Sequence, residues 1–339
     1  LLNAILENSG LLHECAGREA IMTTLITGAA GFVGRNLSQY LAPRHALRLA
    51  VRTLSAAESL RSFGDVVGVD HVCGTTDWSE ALKGVHAVVH LANRAHVMRE
   101  AAADPAAAYR EVNVEGTRCL AEQAAAAGVQ RLVYLSTVKV LGERTQSPVF
   151  SETSMPAPED PYGQSKRDAE QVLRDIAAKT GMEVVVLRPP LVYGPGVGAN
   201  FLRLMRWVAS GIPLPVSAIH NRRSLIYVGN LVSAIEACLS HPAAAGRTYL
   251  VSDGQPVSTA RLVSMLASAL AVPDRSWPLS PALLRLVGSA TGMSGAISRL
   301  VDALEVDDAA IRRELTWRPP FSMTEGLRET ATAYRESVV

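Results

Sequence analysis

Tyr162 and Lys166 stand four residues apart in the stretch Tyr162-Gly163-Gln164-Ser165-Lys166. On a helix that spacing puts both side chains on one face. An ammonium beside a phenol can lower the phenol pKa from about 10 toward neutrality. Such a tyrosine can pass a proton to or from an alcohol or a carbonyl oxygen. The chain has only four lysines and eight tyrosines, so the pair carries information. Upstream, Tyr134-Leu135-Ser136-Thr137 closes a strand-like run, and its two hydroxyls could bind the same substrate oxygen or simply cap the strand end.

A second chemical signal lies near the start, in Thr27-Gly28-Ala29-Ala30-Gly31-Phe32-Val33-Gly34. Gly28 permits a tight turn, Gly31 lets a pyrophosphate approach the backbone, and Gly34 allows a helix to pack closely on a strand. The helix that follows offers unpaired N–H groups and a positive dipole end to phosphates. The spacing is one residue longer than the usual dinucleotide fingerprint. A purely structural turn is the competing explanation. The next strand ends Leu49-Ala50-Val51-Arg52-Thr53 without an acid. An acid there would bond a ribose 2′-hydroxyl, whereas an arginine accommodates a 2′-phosphate. Arg52 therefore points to NADP, with NAD possible, unless it is a solvated surface residue. Asp77 could meet the adenine edge or cap a helix.

These groups need a scaffold, and the pattern supplies one. Short apolar runs at 24–27, 47–51, 66–69, 87–91, 132–136 and 184–188 read as strands buried on both faces, as a parallel sheet requires. Helical patterns separate most of them. The clearest runs from Asp104, a cap before Pro105, to Ala127, with Gly128 ending it. Another runs from Tyr162 to Thr180 and stops at Gly181. This alternation implies an α/β fold, a doubly wound parallel sheet of the Rossmann type over residues 22–188. After Pro189, proline and glycine cluster and helices dominate, at 258–269, 281–288, 307–315 and 324–334, with one strand at 248–251. Residues 189–339 are thus expected to form a smaller, mostly helical substrate-binding lobe. Residues 1–21 read as an extension outside the core fold, or as an additional amphipathic helix.

Composition narrows the function classes. The chain has 339 residues, 48% of them hydrophobic, enough for a sizeable core. Lys+Arg 33 against Asp+Glu 32 gives a formal net charge of +1, which argues against a dedicated nucleic-acid binder. Cys15, Cys73, Cys119 and Cys238 lie far apart, with no zinc-ligand spacing and no disulfide framework, so no metal site is expected. Isolated thiols fit a reducing cytoplasm. No apolar run approaches the roughly 18 residues of a membrane span.

Taken in order, TGAAGFVG at 27–34, HLA at 90–92, NVEGT at 113–117, LSTVKVLGE at 135–143, YGQSK at 162–166, RPPLVYGPG at 188–196 and WRPP at 317–320 resemble the extended short-chain dehydrogenase/reductase family. More closely, they are similar to its nucleotide-sugar epimerase/dehydratase/4-ketoreductase branch. The resemblance implies that Tyr162 is the acid/base, Lys166 its partner and Thr137 the hydroxyl that steadies the substrate oxygen. It implies a cofactor site of Gly28, Gly31, Phe32, Val33, Gly34, Arg52, Asp77, Leu91, Ala92, Asn113 and Ser136, with Tyr162 and Lys166 beside it. It also implies that Asn200 and Arg223 contact the nucleotide diphosphate, for which guanidinium is chemically suited. Arg299 is a further candidate whose spacing to Asp307 fits poorly. Arg94 and His96 could reach the sugar or its substituent, although a lone histidine there is more often structural. Leu191 stands where many relatives carry asparagine.

The activity these residues imply is NAD(P)-dependent oxidoreduction at C4 of a UDP-(N-acetyl)hexose, in the precursor chemistry of bacterial surface polysaccharides. Arg52 tips the expectation toward a 4-ketoreductase spending NADPH. The alternative is a UDP-sugar 4-epimerase with tightly held NAD. A non-catalytic NAD(P)-binding sensor or scaffold would need the glycine turn but not Tyr162, Lys166 and Thr137. A dehydrogenase of apolar ketones fits Asn200 and Arg223 poorly. The family likeness suggests a homodimer built on helices 104–127 and 162–180.

Overall fold

The computed structural model describes residues 22–53, 58–95, 104–145 and 147–338. The expectation for residues 1–21, and that for His96, fall outside the described residues.

The chain opens with β1 (Thr23–Thr27), α1 (Phe32–Leu41), β2 (Ala46–Val51), β3 (Asp65–Gly68), α2 (Ser79–Leu82) and β4 (Val85–His90). It continues through α3 (Pro105–Arg110), a π-helical turn at Glu111–Glu115, α4 (Gly116–Ala126), β5 (Arg131–Leu135), α5 (Pro161–Thr180) and β6 (Glu183–Arg188). The remainder comprises β7 (Leu191–Tyr193), α6 (Ala199–Ala209), β8 (Leu225–Tyr227), α7 (Val228–Ser240), β9 (Thr248–Leu250), α8 (Thr259–Leu270), α9 (Pro281–Ala290), α10 (Ser294–Val301), α11 (Ala309–Glu314) and α12 (Met323–Val338). Seven strands form one parallel sheet in the order β3-β2-β1-β4-β5-β6-β9. The order reverses between β1 and β4, and that switch point opens the crevice in which such sheets bind ligands.

Local chemistry explains the elements. Asp104 accepts from the Ala107 N–H and Pro105 takes the first helical position, as the sequence implies. Asp160 accepts from the Gly163 N–H at 2.7 Å, so α5 begins at Pro161, and Gly181 ends it with φ +79°. The central strands β5 and β6 are buried almost throughout, whereas the edge strand β3 is not. β9 lies beyond the expected boundary at 188, yet it joins the main sheet beside β6. β7 and β8 form a separate parallel pair too short to stand out in the sequence. Among the described residues no helix is long and apolar enough to cross a membrane.

One buried hydrogen-bond chain ties the sheet ends together. The Thr27 hydroxyl accepts from the Leu91 and Ala92 N–H groups, which leaves its proton to donate to His90 Nδ1 at 2.7 Å. His90 Nε2–H then donates to the Thr117 hydroxyl at 3.0 Å, and Thr117 donates to the Asn113 carbonyl at 2.7 Å. The ring is thereby fixed as one neutral tautomer. Burial, with the Lys166 charge second, pushes the His90 pKa down to about 3. An unfolded histidine titrates near 6.5, so between these values the unfolded chain binds more protons and stability falls as pH falls. We predict that the urea midpoint drops steeply between pH 6.5 and 4, and that His90→Gln, which cannot titrate, flattens that drop. An unchanged slope in the variant would show that His90 does not carry it.

Candidate active site

The glycine turn sits at the switch point and lines a cavity of about 540 Å³. Gly28 adopts φ +67°, and a Cβ there would stand 2.8 Å from the Ala92 nitrogen. A Cβ on Gly34 would fall on the Gly28 carbonyl, so α1 can pack here only without one. Gly28, Gly31, Phe32, Val33, Gly34, Arg52, Leu91 and Ala92 all line the cavity, as expected from sequence. Arg52 is exposed at the end of β2. Val69, His71, Val72 and Trp78, which the sequence did not single out, close the far end. The Trp78 indole N–H is buried without a hydrogen-bond partner, so an acceptor on a bound group would satisfy it. The bare backbone cradle, the free helix N-terminus and this orphan donor together fit a dinucleotide.

Other expected cofactor residues sit differently. Asp77 is exposed, does not line the cavity, and accepts from the Ser79 N–H at 2.9 Å; it caps α2. Asn113 lies in the π turn, 1% exposed, with its amide fully engaged. Its Oδ1 accepts from the Arg94 N–H at 2.7 Å, and its Nδ2 donates to the Arg94 carbonyl at 3.0 Å and to the Ser165 hydroxyl at 2.9 Å. Ser165 donates onward to the Tyr162 carbonyl at 2.8 Å. Asn113 therefore positions the residues around the cavity. The Ser136 hydroxyl donates to Glu170 at 2.6 Å, and Glu170 holds Arg188 through bonds of 3.0 and 2.6 Å in an almost fully buried pair. Ser136 is thus bound up in the ion pair that fastens β6 to α5.

Thr137 and Tyr162 remain as the candidate proton-handling pair. Thr137 caps a short 3₁₀ turn at Val138–Val140, accepting from the Lys139 N–H at 3.3 Å, which leaves its own proton to donate. Lys139 binds Glu143 at 2.5 Å and Asp160 at 2.6 Å, clamping that turn to the start of α5. Gly163 permits the clamp, because a Cβ there would lie 2.8 Å from the Lys139 carbonyl. Tyr162 packs its ring 6.0 Å from that of Tyr109, over which the Arg94 guanidinium lies at 5.6 Å.

The electrostatics correct one expectation. Lys166 is fully buried, its ammonium 4.0 Å from the Tyr134 ring centroid, a cation–π contact. Burial pushes its pKa down to about 7, opposed by Glu170 one turn along. The Tyr162 phenol is not lowered toward neutrality but raised, first by burial and then by Asp160 and Tyr109. Desolvation outweighs the helical neighbour, so Tyr162 rests as a phenol.

A second cavity, about 150 Å³, gathers Asn200, Arg203, Arg223, Thr259 and Arg299 with Leu191. Arg223 is tied to the fold by its backbone bonds with Val257 and by its Nη1 bond to the Asp302 carbonyl at 2.9 Å. Burial lowers its pKa, opposed by the Asp302 charge, with a smaller lowering from Arg299. Two guanidiniums beside each other form a site for a multivalent anion. Arg299, poorly placed by sequence spacing, shares this cavity because α10 contributes Ala296, Arg299 and Leu300 to its wall. Leu191, at the departure from the common asparagine, lines the same space and is 41% exposed.

Comparison with known proteins adds relatives. The profile of the NAD dependent epimerase/dehydratase family matches residues 24–252. A UDP-glucose 4-epimerase from Vibrio cholerae is 42% identical over 328 residues, covering 95% of this chain and 99% of that one. An N-acetyl-alpha-D-glucosaminyl-diphospho-ditrans,octacis-undecaprenol 4-epimerase from Escherichia coli O157:H7 is 27% identical, covering 90% of this chain and 93% of that one. The structure of MoeE5 in complex with UDP-glucose and NAD superposes with a TM-score of 0.74 at 25% identity, over 94% of this chain and 100% of that one.

Two outcomes test the geometry. Gly163→Ala should separate the Thr137 turn from Tyr162 and lower turnover by about 10²-fold, with dinucleotide binding retained; full turnover would contradict the clamp. In the cofactor-free protein, the ultraviolet difference between wild type and Tyr162→Phe should show no phenolate at pH 8. A phenolate band there would contradict the raised pKa.

Proposed function

The chain belongs to the NAD dependent epimerase/dehydratase family, and from that premise we propose that it is a UDP-hexose 4-epimerase. It is an NAD(P)-dependent enzyme of nucleotide sugars. The observation that carries the finer reading is its 42% identity, over nearly the full length of both chains, to a UDP-glucose 4-epimerase. This moves the balance away from the ketoreductase expectation, which rested on Arg52 and on the missing acid at the end of β2.

The residues divide the work between two cavities. Gly28, Gly31 and the N-terminus of α1 would hold the dinucleotide pyrophosphate, and Leu91 and Ala92 would flank it. When bound, the nicotinamide supplies reversible hydride acceptance at the sugar C4. Asn200, Arg223 and Arg299 would hold the diphosphate of the sugar nucleotide. Thr137 donates a hydrogen bond to O4. After its own phenolic proton has passed to solvent, Tyr162 accepts the O4 proton as hydride leaves C4 and the alcohol becomes a ketone, and it returns that proton in the reverse half-reaction. Lys166, buried beneath, supplies positive charge that favours the transient phenolate. The phenol that rests protonated is the form that returns the proton to the keto oxygen. Arg94, stacked over Tyr109, would bound the sugar side. A homodimer through α3–α4 and α5 is part of this proposal.

A second reading keeps the 4-ketoreductase, favoured by Arg52 at the cavity rim with no acid at the end of β2. Product analysis separates the two. With UDP-glucose or UDP-N-acetylglucosamine and no net consumption of NAD(P)H, the epimerase forms the C4 epimer. Stoichiometric loss of NADPH on a UDP-4-keto sugar, with no interconversion of UDP-hexoses, would establish the reductase instead. Tyr162→Phe should cost about 10²–10⁴-fold in turnover with dinucleotide affinity nearly intact. Arg52→Ala should weaken NADP binding more than NAD binding. Equal changes in the two dissociation constants would remove Arg52 from the site.

A further inference from the structure

One face of the C-terminal half exposes apolar side chains that neither cavity explains. Between residues 184 and 301 there are ten arginines, no lysine and three acids, Glu236, Asp253 and Asp274. Arg188, Arg222, Arg247 and Arg285 are answered by Glu170, Glu305, Glu314 and Asp302, so the excess is local and rests on arginines such as Arg203, Arg206 and Arg275. Of the three acids, Asp253 is buried and receives hydrogen bonds from Tyr193, Tyr227 and Asn230. Only Asp274 belongs to the surface considered next, and its Oδ1 accepts from the Ser276 N–H.

That surface is the hairpin of α9 and α10 with the flank of α6. α9 is anchored by Leu284 and by Gly288, where a Cβ would collide with Ile297 of α10. The rest of the helix faces outward although it is apolar: Leu283 is 45%, Leu286 65% and Val287 47% exposed. Met293 at the hairpin turn is 50% exposed. Trp277, just before α9, is 44% exposed and its segment pairs with Leu214, beside the 58% exposed Ile212. Trp207 of α6, 40% exposed, lines the second cavity together with Ala296 and Leu300 of α10, so the two patches are continuous. Arg203, Arg206 and Arg275 are exposed around them; Arg285 is paired with Asp302 at 2.8 Å.

Leucine, valine and methionine exposed on a helix, two half-exposed tryptophans and flanking arginines that outnumber the acids beside them are the makeup of a segment that lies in a membrane interface. A second copy of the chain fits this face poorly. A two-fold contact would bring the same arginines together with too few acids to answer them. Negatively charged headgroups answer them directly.

We propose that the α9–α10 hairpin, with Trp207, Ile212 and Trp277, docks the protein reversibly on a negatively charged bilayer surface, with the mouth of the second cavity at the edge of the contact. The docking does not depend on which sugar the enzyme takes. The test is flotation of the full chain with vesicles of phosphatidylcholine plus phosphatidylglycerol, against vesicles of phosphatidylcholine alone. Binding should be at least about tenfold stronger to the anionic vesicles and weaken with salt. The double variant Leu286→Glu/Val287→Glu replaces exposed side chains, so its melting temperature and its dinucleotide binding should match wild type while vesicle binding falls by at least about tenfold. Arg206→Glu should weaken binding in the same direction. No binding to anionic vesicles, equal binding to both kinds, or full binding by the double variant overturns the proposal. So does a concentration-dependent increase in mass that the double variant loses, without vesicle binding, since the face would then join two copies.

Discussion

Everything around Tyr162 depends on a buried run of hydrogen bonds in which each polar group has one permitted role. Thr27 at the end of β1 donates to His90, His90 to Thr117, Thr117 to the Asn113 backbone, the Asn113 side chain to Ser165, and Ser165 to the Tyr162 carbonyl. The run begins in the glycine turn and ends on α5. It is buried for most of its length, so a missing partner would leave a desolvated donor or acceptor at a cost of about 1–3 kcal/mol. The dinucleotide cradle and the proton-handling residue are therefore built as one unit. The π turn at Glu111–Glu115 serves this run, since it carries Asn113 where regular α-helix resumes at Gly116.

A buried ion pair and a buried lysine flank that unit and differ in how they are compensated. Glu170 and Arg188 form a bidentate pair with Ser136 completing it, so their desolvation is met by direct bonds. Lys166 has the Tyr134 ring and the more distant Glu170 charge, and burial brings its pKa to about 7. Burial thus acts in opposite directions on the two neighbours, drawing the Lys166 ammonium toward neutrality and holding the Tyr162 phenol protonated. The second cavity differs: Arg223 and Arg299 both line it, and Arg223 is held by the Asp302 carbonyl.

Much of this was legible in the sequence. The glycine turn, the strand–helix alternation, the capping of α3 by Asp104 and the end of α5 at Gly181 rest on local rules, and these features form where the pattern puts them. The cofactor residues that line the cavity are those next to the glycines or at strand ends. What could not be read depends on contacts between distant segments. Gly163 gives no local sign that it faces the Lys139 carbonyl. Arg299 joins Arg223 only because the tertiary fold brings α10 to the wall of the second cavity. Asp77 and Asn113 are residue types that can bond a dinucleotide, but neither lines the first cavity and their polar atoms are taken by Ser79, Arg94 and Ser165. The Tyr162 pKa was misjudged because helical spacing reveals a neighbouring charge and says nothing of desolvation. β9 crossed the expected boundary because three residues are enough to extend a sheet edge.

The most direct measurement of the central claim is a double-mutant cycle in equilibrium unfolding between Thr117→Val and Ser165→Ala, two residues joined through Asn113. If the run from Thr27 to Tyr162 is one cooperative network, the two losses are coupled by about 0.5–3 kcal/mol. Losses that add to within about 0.5 kcal/mol would mean independent hydrogen bonds, and would contradict the account.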